Sequence, residues 1–420
     1  MAEFKNPQAI GLLLLANIIA SFSHVLTMLA ISWYFVNTLN KGETLAYIYI
    51  FGTVISIFWG LYSGILIDKY SRKKIFNYTL ITLTITFLLI IIHSNYTNNF
   101  SIYSASIIFI FILLTYSIYF PNLYSFAQEI TVENNYGRVN SLIEISAQIT
   151  NIFSALTASI LLIGSKNNLI NVLGFNFYFP IDFEAFTINK ILIINCITYL
   201  IALILFNLMK YEKTHNLKVE SGSIYERLVK GFSFLIKNKK LFYIGNASYN
   251  MFVVIMVEIY LLLPIYIKNH LLEKADSFAK TEFFLGIGAL LCAIFIRKMF
   301  KNVNYLNTLI LLMIAGGISY ISATFINKII LFYIIRFFIG YTNAGIRIYR
   351  MTYIFNEVPN NYIGRVNSVF ATINLVLRTI FIALFSISFF TNSSNIKYCY
   401  LISGIFLLLS IVPVIYYKNK

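Results

Sequence analysis

Residues 129–142 read "EITVENNYGRVNSL", and residues 357–369 read "EVPNNYIGRVNSV". The phrase GRVNS recurs intact at an offset of 227 residues in a chain of 420, each time behind an acidic residue and a pair of asparagines. Both copies stand between long apolar runs. Where those runs fall decides the fold.

Hydrophobic residues make up 59% of the chain, charged residues 11%, and the mean hydropathy is +0.77. Soluble domains carry about 25% charged residues. So few charges cannot cover a water-facing surface of this size, whereas a bilayer supplies the apolar solvent. The expectation is an all-α integral membrane protein. Apolar runs of the roughly 20 residues that a bilayer requires lie at 10–36, 45–67, 75–93, 102–126, 141–164 and 186–209. A second set lies at 242–267, 282–297, 306–325, 328–355, 367–390 and 398–417. The eighth, 282–297, is short and ends in Arg297 and Lys298. The first is too long for the apolar core of a signal peptide and lacks a small-residue cleavage site, so it reads as a span.

Twelve spans place both termini on one side. That side carries 20 of the Lys and Arg residues, the opposite side 8, and four lie inside spans. Positive loops stay cytoplasmic, so both termini are expected inside, in a bacterial cytoplasmic membrane. The net charge of +16 thereby reads as topology and not as a nucleic-acid surface, because it sits in short loops between spans. Cys196, Cys292 and Cys399 fall in separate spans without metal-ligand spacing and read as packing residues.

The one long loop divides the chain into an N-terminal bundle (1–209), a linker (210–241) and a C-terminal bundle (242–420). Within the linker, Ile224, Leu228, Phe232 and Leu235 recur at helical spacing among Arg227, Lys230, Lys237, Lys239 and Lys240. A basic amphipathic helix on an anionic membrane surface fits this pattern; a solvated tether is the alternative. Each GRVNS copy then sits between the fourth and fifth spans of its own half. An offset of this size carries one six-helix half onto the other with the same end facing the cytoplasm. Parallel repeats of this kind are one architecture of alternating-access transporters. "LANIIAS" (15–21) against "IGNASYN" (244–250) extends the correspondence, with Asn17 on Asn246 and Ser21 on Asn250.

Between the second and third spans stands "GILIDKYSRKK", residues 64–74. Its Gly64, Leu66, Asp68, Arg72 and Lys73 occupy the matching positions of G-x-L-x-D-x-x-x-R-K, and the chain resembles the major facilitator superfamily in this loop. The six-plus-six helices, the basic middle loop and the acidic-then-GRVNS entries are similar to that superfamily's siderophore and macrolide exporters. The resemblance implies a major facilitator fold of two pseudo-symmetric six-helix bundles, and a contact of Asp68 with the other half that shuts the cytoplasmic side. Asp68 suits the positive N-terminal end of a helix, and Asn367 and Ser368 are capping types at the expected start of the eleventh span. Gly64 permits close helix approach, and Arg72 has a partner available in Glu129. Arg138, Asn140, Glu357 and Arg365 complete the gating set. Arg72, Lys73 and Lys74 as bare topology signals are the alternative. The second half's counterpart loop, "FIRKMFKN" (295–302), lacks the Asp, so the gate is expected to be one-sided. The fourth span has no Arg and the fifth reads "FSALTASILL" (153–162), both unlike drug antiporters of the family.

Charges inside spans are expensive and are functional candidates. Arg336, Arg347 and Arg350 are spaced by 11 and 3 in the tenth span, which puts them on one face, within roughly 60°. Arg378 joins them in the eleventh. An Arg-lined cavity suits carboxylate or phosphate. Snorkelling of Arg350, or pairing of Arg336 or Arg378 with Glu258, is the competing reading. Asn17, Ser21 and His24 form a polar stripe on the first span and, with Asn246 and Asn250, are expected to line a substrate cavity. His24 and Glu258 are the proton-coupling candidates, against plain helix–helix hydrogen bonding.

No phosphate-cradling loop, metal cluster or soluble catalytic domain stands in the sequence, so an enzyme is not expected. No cofactor and no metal are expected, and the chain is expected to act as a monomer. The expected activity is secondary transport, as proton-coupled efflux of an anionic or amphiphilic small molecule. The alternatives are an importer of an organic anion or phosphate ester, and a non-transporting membrane sensor of the same fold.

Overall fold

The computed structural model describes residues 6–132, 135–165, 169–172, 175–178, 180–212, 224–300, 303–391 and 394–418. The chain is nearly all helix. The first half contains α1 (Pro7–Trp33), continued by a π-helical segment Tyr34–Thr38, then α2 (Gly42–Lys69), α3 (Arg72–Thr97), α4 (Ile102–Glu129), α5 (Tyr136–Leu161) and α6 (Ile188–Leu208). Four short strands lie between α5 and α6: β1 (Gly164–Ser165), β2 (Leu169–Val172), β3 (Phe175–Tyr178) and β4 (Phe183–Glu184). They pair antiparallel as β1–β4 and β2–β3. The linker helix α7 (Ile224–Lys237) follows, a helix where the sequence places one.

The second half contains α8 (Lys239–Val257), a π-helical segment Glu258–Leu262, α9 (Leu263–Asn269), α10 (Ala275–Met299), α11 (Tyr305–Ala323) and α12 (Ile329–Glu357). After these come α13 (Asn360–Phe385), α14 (Ser388–Thr391), α15 (Lys397–Leu409) and α16 (Val412–Lys418). Among the described residues, eleven helical segments are long and apolar enough to cross a membrane, with α8 to α9 and α15 to α16 each counted as one. The remaining member of the expected twelve is α5. It is 26 residues long but carries Asn140, Glu144, Gln148 and Asn151, which lowers its hydropathy.

Two interruptions have a common cause. Pro264 and Pro413 have no N–H to donate, so the chain departs from α-geometry one turn before each, at the 258–262 π segment and at Ser410. The eighth span is longer than its hydropathy suggests. It begins at Ala275, and Lys280 Nζ lies 2.9 Å from Asp276 Oδ2 in its first turns, so these charges are paired.

Two compact units divide the chain: residues 1–40 with 54–221, and 41–53 with 222–420. In the first, α1 packs on α5 and α6, and α3 on α4 and α6. Phe76 stacks on Phe206 at 4.3 Å between ring centroids. Ser23 with Thr198 and Thr27 with Asn195 form hydrogen bonds from α1 to α6. Such polar pairs hold helices together where no hydrophobic force does. In the second unit, α10 lies tightly against α12. A Cβ at Gly288 would overlap Phe337 O, and one at Gly340 would overlap Leu285 O. Small residues let these two backbones touch.

Candidate functional site

The close approach of α10 and α12 brings together charges that are far apart in sequence. Arg336 stands on α12, one turn before Gly340, and Glu282 on α10, two turns before Gly288. Arg336 Nη2 contacts Glu282 Oε1, and its Nη1 lies 2.6 Å from Glu258 Oε1 at the start of the π segment. Tyr320 on α11 donates its hydroxyl to Glu258 Oε2. The rings of Tyr266 on α9 and Tyr400 on α15 stand 4.5 Å apart, and Tyr400 stacks on Tyr320. The side chains of Arg336 and Glu258 are fully buried, while Glu282 keeps 12% exposure. Two carboxylates therefore share one guanidinium inside a tyrosine cage, leaving one negative charge unless a proton is bound.

In the sequence Arg336 was a substrate candidate and Glu258 a proton candidate, with their pairing as the competing reading; the fold pairs them and adds Glu282. Arg336 is enclosed by the two carboxylates. Glu282 is the residue that hydropathy misses, since it stands at the first position of the run 282–297 and reads as a boundary charge. The available signal was charge arithmetic, because an intramembrane Arg needs an acid and Glu282 is the nearest acidic residue upstream of it in the chain.

A second polar face runs along α8 and α13, which pack together. A Cβ at Gly245 would meet the Phe370 ring, and Tyr249 lies 5.4 Å from that ring. This register puts Asn250 and Asn374 about one turn further along on their own helices. Asn250 is 8% exposed and Asn374 5%. Asn250 Oδ1, Asn374 Nδ2 and Arg378 Nε are buried and have no hydrogen-bond partner among the described residues. Buried polar atoms of this kind are costly unless something satisfies them. Asn246 lies one turn from Asn250 on α8, half-buried. Asn374 was not a sequence candidate, and its i, i+4 relation to Arg378 was the available signal.

The other arginines of α12 differ. Arg350 is buried, its guanidinium 3.8 Å from the Tyr249 ring centroid, and its Nη1 donates to Ser248 O at 3.1 Å. Arg347 is half-buried. In the first unit, Ser21 Oγ donates to Asn17 Oδ1 at 3.3 Å. His24 lines a small cavity of about 20 Å³ with Tyr116, Tyr119 and Tyr199, its ring 5.5 Å from that of Tyr116. Among the described residues no ion pair joins His24 to a carboxylate.

The gating candidates divide similarly. Arg72 Nε lies 3.4 Å from Glu129 Oε2. Lys73 Nζ donates to Asn207 O and Met209 O, each at 3.0 Å, satisfying carbonyls at the end of α6. Leu66 packs on the buried trio Ile67, Ile75 and Ile118. Among the described residues, a Cβ at Gly64 would meet nothing within 4 Å. The side chain of Asp68 lies outside the described residues. Asn367 and Ser368 are not caps: α13 starts at Asn360, with Pro359 at the N-cap, so both lie two turns inside the helix. Asn140 likewise lies inside α5, whose N-cap is Asn135. Extended backbone is favoured before and at a proline, and that places the start of α13 earlier than the apolar pattern does. Glu357 is exposed at the end of α12, as is Arg138 near the start of α5. Arg365 lies 5.2 Å from the Tyr362 ring centroid.

No functionally curated protein matches the sequence. Solved structures match over nearly its whole length. The D-xylose-proton symporter matches with a TM-score of 0.73 at 10% identity, covering 97% of this chain and 96% of that one. The POT family transporter PepTSo matches with a TM-score of 0.70 at 13% identity, covering 98% of each chain. The nucleoside transporter NupG matches with a TM-score of 0.66 at 14% identity, again covering 98% of each. Identities this low carry the fold alone. Residues 13–382 match the Major Facilitator Superfamily. A multi-pass helical chain matched over that length belongs to the Major Facilitator Superfamily, and is a transporter and not an enzyme.

Proposed function

We propose that this chain is a proton-coupled secondary transporter that exports an anionic or amphiphilic small molecule across a bacterial cytoplasmic membrane, with both termini cytoplasmic. The observation that carries the coupling is the sharing of Arg336 by Glu258 and Glu282. With both carboxylates ionised the cluster holds one excess negative charge in a low-dielectric site, and binding one proton neutralises it. Glu282, the more exposed carboxylate, meets the proton first, and Glu258 holds the guanidinium in place. Loss of that proton pulls Arg336 back onto both acids, a local charge change of the kind that biases a two-state transporter.

The substrate reading rests on Asn250, Asn374 and Arg378, whose unpartnered buried atoms supply an acceptor and two donors. A guanidinium with amide neighbours suits a carboxylate or phosphate. The export direction and the siderophore-like class rest on the resemblance of the GRVNS entries and the basic middle loop to exporters. Import of an organic anion is the second reading, favoured by the same Arg378 and by proton symport in a transporter of this fold.

Proteoliposomes loaded with a pH-sensitive dye test the proposal. Addition of a carboxylate siderophore or another organic anion is expected to move protons opposite to substrate, and Glu258→Gln or Glu282→Gln to abolish the proton movement. Substrate-driven proton flux that persists in both variants overturns the coupling assignment. Undiminished transport in Arg347→Ala and Arg378→Ala overturns the anionic-substrate reading. Protons moving with the substrate establish import.

A further inference from the structure

The linker helix α7 does more than join two bundles. Its inner face is fixed to the start of α13. A Cβ at Gly231 would stand 2.6 Å from Arg365 O, so the two backbones are in contact there. Phe234 stacks on Tyr362 at 4.7 Å, and Leu235 is fully buried. Residues 362–369 of α13, which include the second GRVNS copy, are therefore the surface on which α7 rests.

Beside this contact a groove of about 550 Å³ opens between the two helices, a volume typical of small-ligand sites. Its walls include Val229, Phe232 and Ile236 from α7 and Val369 and Ile373 from α13, and Lys237 also lines it. Val229, Phe232 and Ile236 are each roughly half exposed, at 48%, 46% and 50%. The apolar span of α13 begins at Arg365. At 1.5 Å per residue, Ile373 lies roughly 12 Å along it. The groove thus follows α13 from near the start of its apolar span, and among the described residues Lys237 is the one charged residue in its lining. Lys230, Lys239 and Lys240 are exposed nearby, and Glu226 is the one acidic residue in the sequence of α7. An apolar slot of this depth headed by a basic cluster matches a phospholipid tail carrying a negative headgroup.

We infer that the groove between α7 and α13 is a binding site for one anionic phospholipid, its acyl chain between Phe232 and Ile373 and its phosphate at Lys237. The bound lipid clasps α7 onto the second GRVNS copy, so the lipid composition of that leaflet acts on the entry to α13. The second GRVNS copy thereby has a lipid-facing neighbour of its own, whatever the substrate.

Quenching by brominated lipids tests this on the full chain in nanodiscs. A tryptophan introduced by Ser233→Trp, or from the other wall by Thr372→Trp should the first variant fail to fold, reports groove occupancy over the Trp33 and Trp59 background. Brominated phosphatidylglycerol is expected to quench it at about fivefold lower mole fraction than brominated phosphatidylcholine, the factor that one basic side chain near an anionic leaflet supplies. Lys237→Gln in the same background is expected to remove that fivefold preference while leaving quenching by phosphatidylcholine in place. Equal quenching by the two lipids, a preference that survives Lys237→Gln, or no quenching by either overturns the inference.

Discussion

Arg336→Leu is the most informative perturbation of this protein. The side chain is fully buried and is the cation of both ion pairs, with Glu258 and with Glu282. Its removal leaves two carboxylates facing each other inside a tyrosine cage. Breaking a buried pair by deleting one partner costs about 3–5 kcal/mol. The second unit has roughly 200 residues. At about 2.1 cal/mol/K per residue its unfolding entropy is on the order of 0.4 kcal/mol/K, so Tm should fall by roughly 7–12 °C. Replacing the whole cluster, as Arg336→Leu with Glu258→Gln and Glu282→Gln, removes the uncompensated charge and is expected to recover most of the loss, since neutral isosteres of buried ion clusters are often no less stable. The cysteines supply the assay. Cys196, Cys292 and Cys399 are all buried, so a thiol-reactive fluorophore lights up on unfolding, and a Cys196→Ser background confines the signal to the second unit. A single variant as stable as the parent, or a triple variant as labile as the single, refutes the charge-sharing argument.

Gly288→Ala or Gly340→Ala forces α10 from α12 and is expected to cost about 1–3 kcal/mol, read as an earlier thiol-labelling transition; an unchanged transition contradicts the backbone contact. His270, just beyond the seventh span, donates from Nε2 to Ile326 O, and burial followed by Lys397 pushes its pKa below the usual value. Because the folded pKa is the lower one, its contribution is complete above about pH 6.5 and is lost as pH falls through the folded value. Thermal stability measured at pH 7.5 and 5.0 should therefore drop more in the parent than in His270→Gln. Asp68→Asn is expected to slow transport, and Asn367→Ala to slow it more than Asn140→Ala; equal effects at the two asparagines argue against a one-sided gate. His24→Gln is expected to keep substrate-driven proton flux, since the proposed proton site lies in the second unit.

Much of this architecture is written in local sequence. A residue in lipid must be apolar whatever packs beside it, so hydropathy alone marks the spans, and a duplicated phrase at a fixed offset marks the two halves. Lys73 and Arg72 were legible as candidate positions because a charged motif in an apolar chain stands out, and Arg72 lies beside Glu129 as the sequence allowed. Hydropathy fails where charges cancel in space. Ala275–Met299 looked nine residues shorter than it is, because Asp276 and Lys280 read as solvent-facing and Glu282 as a boundary charge until their partners are known. Caps fail for a related reason: Asn367 is a capping type, but Pro359 starts the helix two turns earlier.

The sequence by itself determined the membrane class, the repeat and the residue types available to carry charge, since those depend on composition and order. Only the tertiary structure decided which charges meet. Glu258, Glu282 and Arg336 come from three spans; the sequence left Glu258 open to Arg336 or Arg378, and only the fold selected Arg336 and added Glu282. Their meeting depends on two glycines that let α10 and α12 touch, and on a proline that opens a π turn at Glu258. These are properties of packed backbones, which no single segment contains.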